Sequence, residues 1–175
     1  MSTVVSSFSN PSDQILTGEL LGNKIAFLPR HGRGHKLSPS EINYRANIDA
    51  FKKIGITDII SVSAVGSLKE DLDPGTFVIV DQFIDKTFAR KKSFFTDGCV
   101  APVSMAHPVC SRLGDHLMHG AIKSGIKVVR NGTYLVMEGP NFLPLLNLSF
   151  INRGVVTSLE WIWMLLAKKI LRRCI

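Results

Sequence analysis

Residues 24–64 read KIAFLPRHGRGHKLSPSEINYRANIDAFKKIGITDIISVSA, and this stretch sets the fold class. Lys24 to Leu28 is a short apolar strand stopped by Pro29, which has no N–H to give to a ladder. A polar loop with two glycines follows, Arg30-His31-Gly32-Arg33-Gly34-His35. Pro39-Ser40-Glu41 opens a predicted helix through Ile54, because Ile42, Ala46, Ala50 and Ile54 recur at helical spacing. Gly55 closes that helix, and Asp58 to Ala64 is predicted as a second strand, apolar enough for the centre of a sheet. Strand, helix and strand in this order indicate an α/β domain with a mostly parallel or mixed sheet.

Working outward, residues 1–14 are polar and turn-rich and read as a loop or frayed start. Downstream, Val65-Gly66-Ser67 and Asp73-Pro74-Gly75 are turns, and Phe77 to Asp81 is a third strand. Gln82 to Pro108 reads as a loop long enough to suggest function. A helix is expected from about Pro108 to Lys123, closed by Gly125. Lys127–Arg130 and Thr133–Met137 read as two strands around an Asn131-Gly132 turn. After Phe142 the texture changes to Leu-Pro-Leu-Leu-Asn-Leu, a Trp-Ile-Trp-Met-Leu-Leu run and a basic end. The expected division is therefore 1–142, one α/β domain, and 143–175, a tail of different character.

A chain of 175 residues suits one domain with a real core. The net charge of +7 invites a nucleic-acid reading, but its distribution argues against one. Arg153, Lys168, Lys169, Arg172 and Arg173 against Glu160 give the last 25 residues +4, which leaves +3 spread over the other 150. That is too little for a binding footprint, and no basic stripe is interleaved with aromatics. Cys99, Cys110 and Cys174 are an odd number without metal-type spacing, so a reduced, cytoplasmic protein is expected. The start lacks the basic and apolar regions of a signal peptide, and the apolar run Trp161 to Ala167 is too short to span a membrane.

Several residues carry possible chemistry. Arg30 and His31 stand just past a strand end, where open α/β sheets place ligands, and a guanidinium fork matches phosphate oxygens. A solvated basic loop is the alternative. Ser61-Val62-Ser63-Ala64-Val65-Gly66-Ser67 offers hydroxyls and consecutive backbone N–H groups beside a glycine, a possible anion cradle or a plain strand end. Met137-Glu138-Gly139-Pro140-Asn141-Phe142 puts a carboxylate and an aromatic around a tight turn; the ring either stacks on a heterocyclic base or joins the core. Asp81 and Asp85 either bind sugar hydroxyls or anchor a loop, and the anchor is favoured. His107 is expected at a helix start, with His116 and His119 on a solvated helix face. No Ser/His/Asp arrangement, metal-ligand cluster or P-loop is present in the sequence.

Taken together these segments resemble the 5′-methylthioadenosine phosphorylases. The resemblance rests on Pro29 to His35, Pro39 to Ile48, Ser63 to Leu68, Asp73-Pro74-Gly75, Val80 to Asp85 and Met137 to Phe142, in order over roughly residues 10–142. It implies a three-layer nucleoside-phosphorylase fold with a central mixed sheet flanked by helices, incomplete here, and usually a homotrimer. It also implies phosphorolysis of 5′-methylthioadenosine to adenine and 5-methylthioribose 1-phosphate in purine and methionine salvage. No metal or organic cofactor is implied; inorganic phosphate is the co-substrate. Arg30, His31, Ser63 and Ala64 would hold phosphate, with Ser63 where the family often has threonine. Val65 and Gly66 would line the nucleoside pocket, and Phe142 would pack against the purine.

The sequence also departs from the family. A first strand with its glycine-rich turn and the region after the Gly-Pro-x-Phe turn, with its ribose methionine and purine-binding aspartates, have no counterpart, so no catalytic acid or base is assigned. Restoring one nucleotide after the Phe142 codon permits S-T-L-A-E-S-x-L-Y-K-S-W-G-C-D-V-I-G-M, very like the family's own continuation. The tail is therefore expected to be out-of-frame sequence, with a genuine short amphipathic helix as the alternative, and the chain is expected to be inactive. Other readings are phosphorolysis of methylthioinosine, inosine or guanosine, or a non-catalytic fragment that binds only phosphate or intact subunits.

Overall fold

Two sheets and two helices position the candidate site; the computed structural model describes residues 4–95, 98–138 and the backbone of 155–157. Strands β1 (Leu16–Leu20) and β2 (Asn23–Phe27) form an antiparallel hairpin, registered from Leu16 opposite Phe27 to Leu20 opposite Asn23. Leu21 and Gly22 join them with φ of 51° and 77°. Two positive φ values in a two-residue connection match the twist of paired strands, at a steric cost to leucine that glycine does not bear. Residues 16–20 were not expected as a strand, because Leu-Gly is a poor signal for such a turn.

Helix α1 spans Tyr44–Lys53. It starts later than Pro39 because Asn43 is the cap: its Oδ1 accepts from the Ala46 N–H at 3.1 Å. Ahead of it, Ser38 and Glu41 close a separate turn, the Ser38 N–H donating to Glu41 Oε2 at 2.8 Å. At the far end, the N–H groups of Gly55 and Ile56 donate to the carbonyls of Lys52 and Phe51, with Gly55 at φ 81°. This pair of bonds satisfies the last carbonyls of the helix and turns the chain out sharply. Helix α2 (Ser111–Lys123) ends the same way, Gly125 and Ile126 donating to Ile122 and Ala121. It begins at Ser111 rather than at Pro108.

The larger sheet has the order β3-β4-β5, all parallel. Strand β3 covers Phe77–Lys86, so the first five residues of the expected 82–108 loop are in fact strand. Strand β4 is a single run, Val128–Met137, where two strands around a turn were expected. Asn131, at φ 63°, is an extra residue: Ile79 faces Arg130, but Val80 faces Gly132. A bulge rather than a hairpin is the outcome because both halves of β4 find their partner in the same strand, β3. The second half of β4, Tyr134 to Met137, is buried, and β5 (Val155–Thr157) lies along it. Beneath the sheet, α2 brings Gly114 so close to Arg130 that an added Cβ would lie 3.1 Å from its Nη2.

A separate core forms where α1 meets the hairpin: Ile15, Ala50, Phe51 and Ile59, with Val4, Ala26, Leu28, Ile48, Ile54 and Ile56 around it. Of the two readings of the start, the loop is the one found over residues 4–14, and it is pinned to α1. Asn47, fully buried, accepts the Ser12 N–H at 2.8 Å and donates to its hydroxyl at 2.9 Å, while Asp49 accepts from Ser6 and Ser7. The expected strand Asp58–Ala64 carries no ladder. Ile59 reaches the core, but Ile60 and Val62 are 52% and 72% exposed, since no strand lies beside them among the described residues. No helix of the described residues is long and apolar enough to cross a membrane.

Candidate functional site

The Pro29–Leu37 loop folds on His31. Its carbonyl accepts from the N–H groups of both Lys36 and Leu37, at 3.0 Å each. Its ring lies 2.8 Å from the Leu37 carbonyl through Nδ1, and stacks on His35 with centroids 4.4 Å apart. That contact fixes the tautomer: Nδ1 carries the proton and Nε2 is the acceptor. Burial lowers the imidazole's pKa; the Leu37 carbonyl opposes that, and Arg30 and His35 add to the lowering. His31 is thus a neutral ring, buried to 8% exposure.

Arg30 Nε donates to the lone pair of His31 Nε2 at 3.3 Å. Its other nitrogens reach the 58–64 segment: Nη1 donates to the Val62 carbonyl at 3.2 Å and the Ser61 hydroxyl at 3.4 Å, and Nη2 to the Ser63 hydroxyl at 2.5 Å. Burial lowers the Arg30 pKa, against the nearby phenols of Tyr44 and Tyr134. The loop is held in place from outside by Asp13, which accepts the Arg33 N–H at 2.7 Å and pairs with its guanidinium at 3.3 Å.

Of the residues singled out from sequence, Arg30, His31 and Ser63 come together. Ala64, Val65 and Gly66 follow Ser63 along the chain and are exposed, and Val65 is an apolar surface residue. Phe142, with Gly139 to Asn141, lies outside the described residues, as does the tail apart from the β5 backbone. Asp85 is an anchor: it accepts from the Thr87 N–H and hydroxyl and pairs with Lys92 at 3.0 Å. Asp81 borders a cavity of about 460 Å³ with Gln82, His107, Cys110 and Asn131, well separated in sequence from Arg30. His116 and His119 are exposed on α2.

A second polar cluster lies at the end of β4, around the Glu138 carboxylate that the sequence singles out, with partners that the sequence does not point to. Glu138 Oε2 accepts the Phe88 and Ala89 N–H groups at 2.7 and 2.8 Å, and Oε1 accepts the Ser40 hydroxyl at 3.2 Å. Arg90 Nε lies 3.9 Å from Oε1, and its guanidinium sits over the Tyr44 ring at 5.8 Å. Desolvation raises the Glu138 pKa, but the Ala89, Phe88 and Ser40 hydrogen bonds and the Arg90 charge outweigh it, so the carboxyl stays ionised. No spacing rule could find partners 50 and 98 positions apart.

Chemically, the Arg30 cluster is a guanidinium bonded to two hydroxyls and a backbone carbonyl, with a neutral imidazole at its side. It suits an oxyanion rather than a cation. Among the described residues no group of three or more His, Cys, Asp or Glu side chains is placed to hold a metal.

Comparison with known proteins is specific. A family model described as "Phosphorylase superfamily" matches residues 3–144. The S-methyl-5′-thioadenosine phosphorylase of Rhodospirillum rubrum is 65% identical over 140 residues, 80% of this chain and 48% of that protein. That of Cereibacter sphaeroides is 59% identical over 139 residues, 79% of this chain and 48% of that protein. Among solved structures, a methylthioadenosine phosphorylase from an Antarctic soil metagenomic library superposes with a TM-score of 0.86 at 42% identity, over 90% of this chain and 57% of that one. The chain spans about half the length of the curated relatives it matches.

Proposed function

The chain belongs to the phosphorylase superfamily, and on that footing we propose that Arg30, His31, Ser63 and Ala64 form the phosphate subsite of a nucleoside phosphorylase acting on 5′-methylthioadenosine. The observation that carries the proposal is the convergence of Arg30 on Ser63 and His31 from two separate loops. The names of the relatives supply the substrate: both are S-methyl-5′-thioadenosine phosphorylases.

The chemistry suits these residues. Loss of the base leaves an oxocarbenium-like sugar, and phosphate held against it both stabilises the positive charge and attacks the anomeric carbon. The new C–O bond forms as the C–N bond to adenine breaks, giving adenine and 5-methylthioribose 1-phosphate. Arg30 then acts by holding the nucleophile in place, and its fixed position avoids reorganisation during the reaction. His31, neutral and buried, orients Arg30. Val65, Gly66 and Phe142 are the proposed nucleoside contacts. The reading goes with a homotrimer, a cytoplasmic setting and no organic cofactor or metal.

Two measurements on the 175-residue chain test it. Calorimetric titration with inorganic phosphate should give saturable binding that Arg30→Ala weakens by more than about tenfold, as expected for removal of a charged hydrogen-bonding partner. Adenine release from 5′-methylthioadenosine, followed with and without phosphate, then tells whether this chain also carries the reaction or the phosphate subsite alone. A chain that binds no phosphate, or binds it equally well after Arg30→Ala, would refute the proposal.

A further inference from the structure

The Asp13 carboxylate takes three bonds from one residue of the Pro29–Leu37 loop. Oδ2 accepts the Arg33 N–H at 2.7 Å and Nε at 3.3 Å, and Oδ1 accepts Nη2 at 3.3 Å. Oδ1 also accepts the Gln14 N–H at 2.7 Å, and Gln14 Oε1 accepts Arg33 Nη2 at 3.3 Å. The Gln14 and Arg33 N–H groups hold the Asp13 carboxyl below the usual carboxylate range. Solvent-exposed ion pairs add little to stability, and the Arg33 side chain is 55% exposed, so stability is a weak account of so many bonds.

Their place in the loop points to another role. The Gly32 N–H donates to the Pro29 carbonyl at 2.8 Å, which makes Arg30 and His31 the central residues of a turn. Arg33 is the next residue after that turn, so a bond to its N–H fixes where the turn ends. A Cβ at Gly32 would lie 3.4 Å from the Ser12 carbonyl oxygen, so the turn also rests on the backbone of residue 12. Ser12 is in turn locked to α1 by Asn47, which accepts its N–H and donates to its hydroxyl. Contacts therefore run without a break from the buried Asn47 through Ser12 and Asp13 to the turn that carries Arg30. Gly32, at φ 70°, takes other conformations at little steric cost, so a bracket from outside narrows what the turn can do.

We propose that Asp13 is a positioning residue for the anion site: by holding the backbone and the guanidinium of Arg33, it fixes the turn that points Arg30 at Ser63. The proposal rests on the phosphate reading of Arg30. Asp13 touches no substrate in this account and acts only through Arg33 and the turn before it. The same bonds engage the Arg33 guanidinium, while Arg30 is the loop arginine that reaches Ser61, Val62 and Ser63.

The test compares three variants of the full chain at equal folded fraction: Asp13→Ala, Asp13→Asn, and Asp49→Ala as a control. Asp49→Ala removes the same charge and a similar tie, because Asp49 holds Ser6 and Ser7 of the same segment to α1 and pairs with Lys53 rather than with the loop. Phosphate affinity is read by calorimetry, and solvent exchange of the Arg30 Nε–H by NMR. Asp13→Ala should weaken phosphate by about tenfold and speed the exchange by a similar factor, the scale of one lost charge-assisted hydrogen bond. Charge alone predicts the opposite sign, since removing a carboxylate near an anion site should tighten phosphate. Asp13→Asn keeps an oxygen for the Arg33 N–H and should recover part of both losses, and Asp49→Ala should change neither quantity. Unaltered Arg30 exchange in Asp13→Ala, unaltered or tighter phosphate binding, or equal losses in Asp13→Ala and Asp49→Ala would overturn the proposal. If the parent chain bound no phosphate, the functional reading would fall, and the Arg30 exchange, faster or unaltered in Asp13→Ala, would still decide whether Asp13 positions Arg30.

Discussion

Two stretches that both read as strands meet opposite fates. Phe77 to Val80 enters β3 and pairs along β4, whereas Asp58 to Ala64 carries no ladder. The difference lies in the neighbours. β-Propensity describes fit to a pleated surface, and it is realised only where a second backbone lies alongside. In the 58–64 segment the polar groups face Arg30 instead, which bonds to Ser61, the Val62 carbonyl and Ser63. One region is held by its ladder to β4, the other by a guanidinium. The second arrangement leaves hydroxyls and backbone groups around a fixed positive charge.

The largest expected effect falls in the laddered region. Leu135→Ala removes a side chain that is 1% exposed from the centre of β4 and should cost about 3 kcal/mol in chemical denaturation. In the α1 region, Asn47→Ala strands the Ser12 N–H and hydroxyl and should cost about 2 kcal/mol. The extended segment should be more tolerant: Val62→Thr, at an exposed position whose backbone carbonyl rather than its side chain meets Arg30, should stay within about 0.5 kcal/mol of the parent. A loss as large as that of Leu135→Ala would erase the contrast between the two regions.

The pH response sharpens the same contrast. His31 has its pKa lowered in the folded chain, so the unfolded state takes up a proton first as pH falls below the ordinary value of 6.5. Stability contributed by the neutral ring is therefore intact above that value and declines as pH falls towards the folded pKa. His31→Gln should flatten this part of the stability profile, and denaturation midpoints between pH 5 and 8 would show it. An unchanged slope in His31→Gln would mean that the ring is not held neutral by the fold.

The sequence made the candidate site partly legible for a chemical reason. Arginine, histidine and serine near strand ends point to anions whatever the details of the fold, and Arg30, His31 and Ser63 do meet. Elements were less legible where one local signal competed with a distant partner. Asn131-Gly132 has the form of a hairpin turn, yet β3 captured both of its flanks and left Asn131 as a bulge. Pro39-Ser40-Glu41 has the form of a helix start, yet Asn43 is the cap and Ser40 serves Glu138. The Glu138 carboxylate stands out in the sequence beside its Gly-Pro turn, but its partners, Ser40, Phe88 and Ala89, come from segments that only the fold brings to it.

The central claim is that Arg30 presents a fixed guanidinium to phosphate. Titrating isotopically labelled chain with inorganic phosphate while observing the Arg30 Nε–H, the His31 ring and the Ser63 amide tests it most directly. The account predicts saturable shifts at all three with a single dissociation constant and a raised His31 pKa in the bound state, since a nearby anion favours the imidazolium. Shifts confined to exposed lysines and rising linearly with phosphate would contradict it.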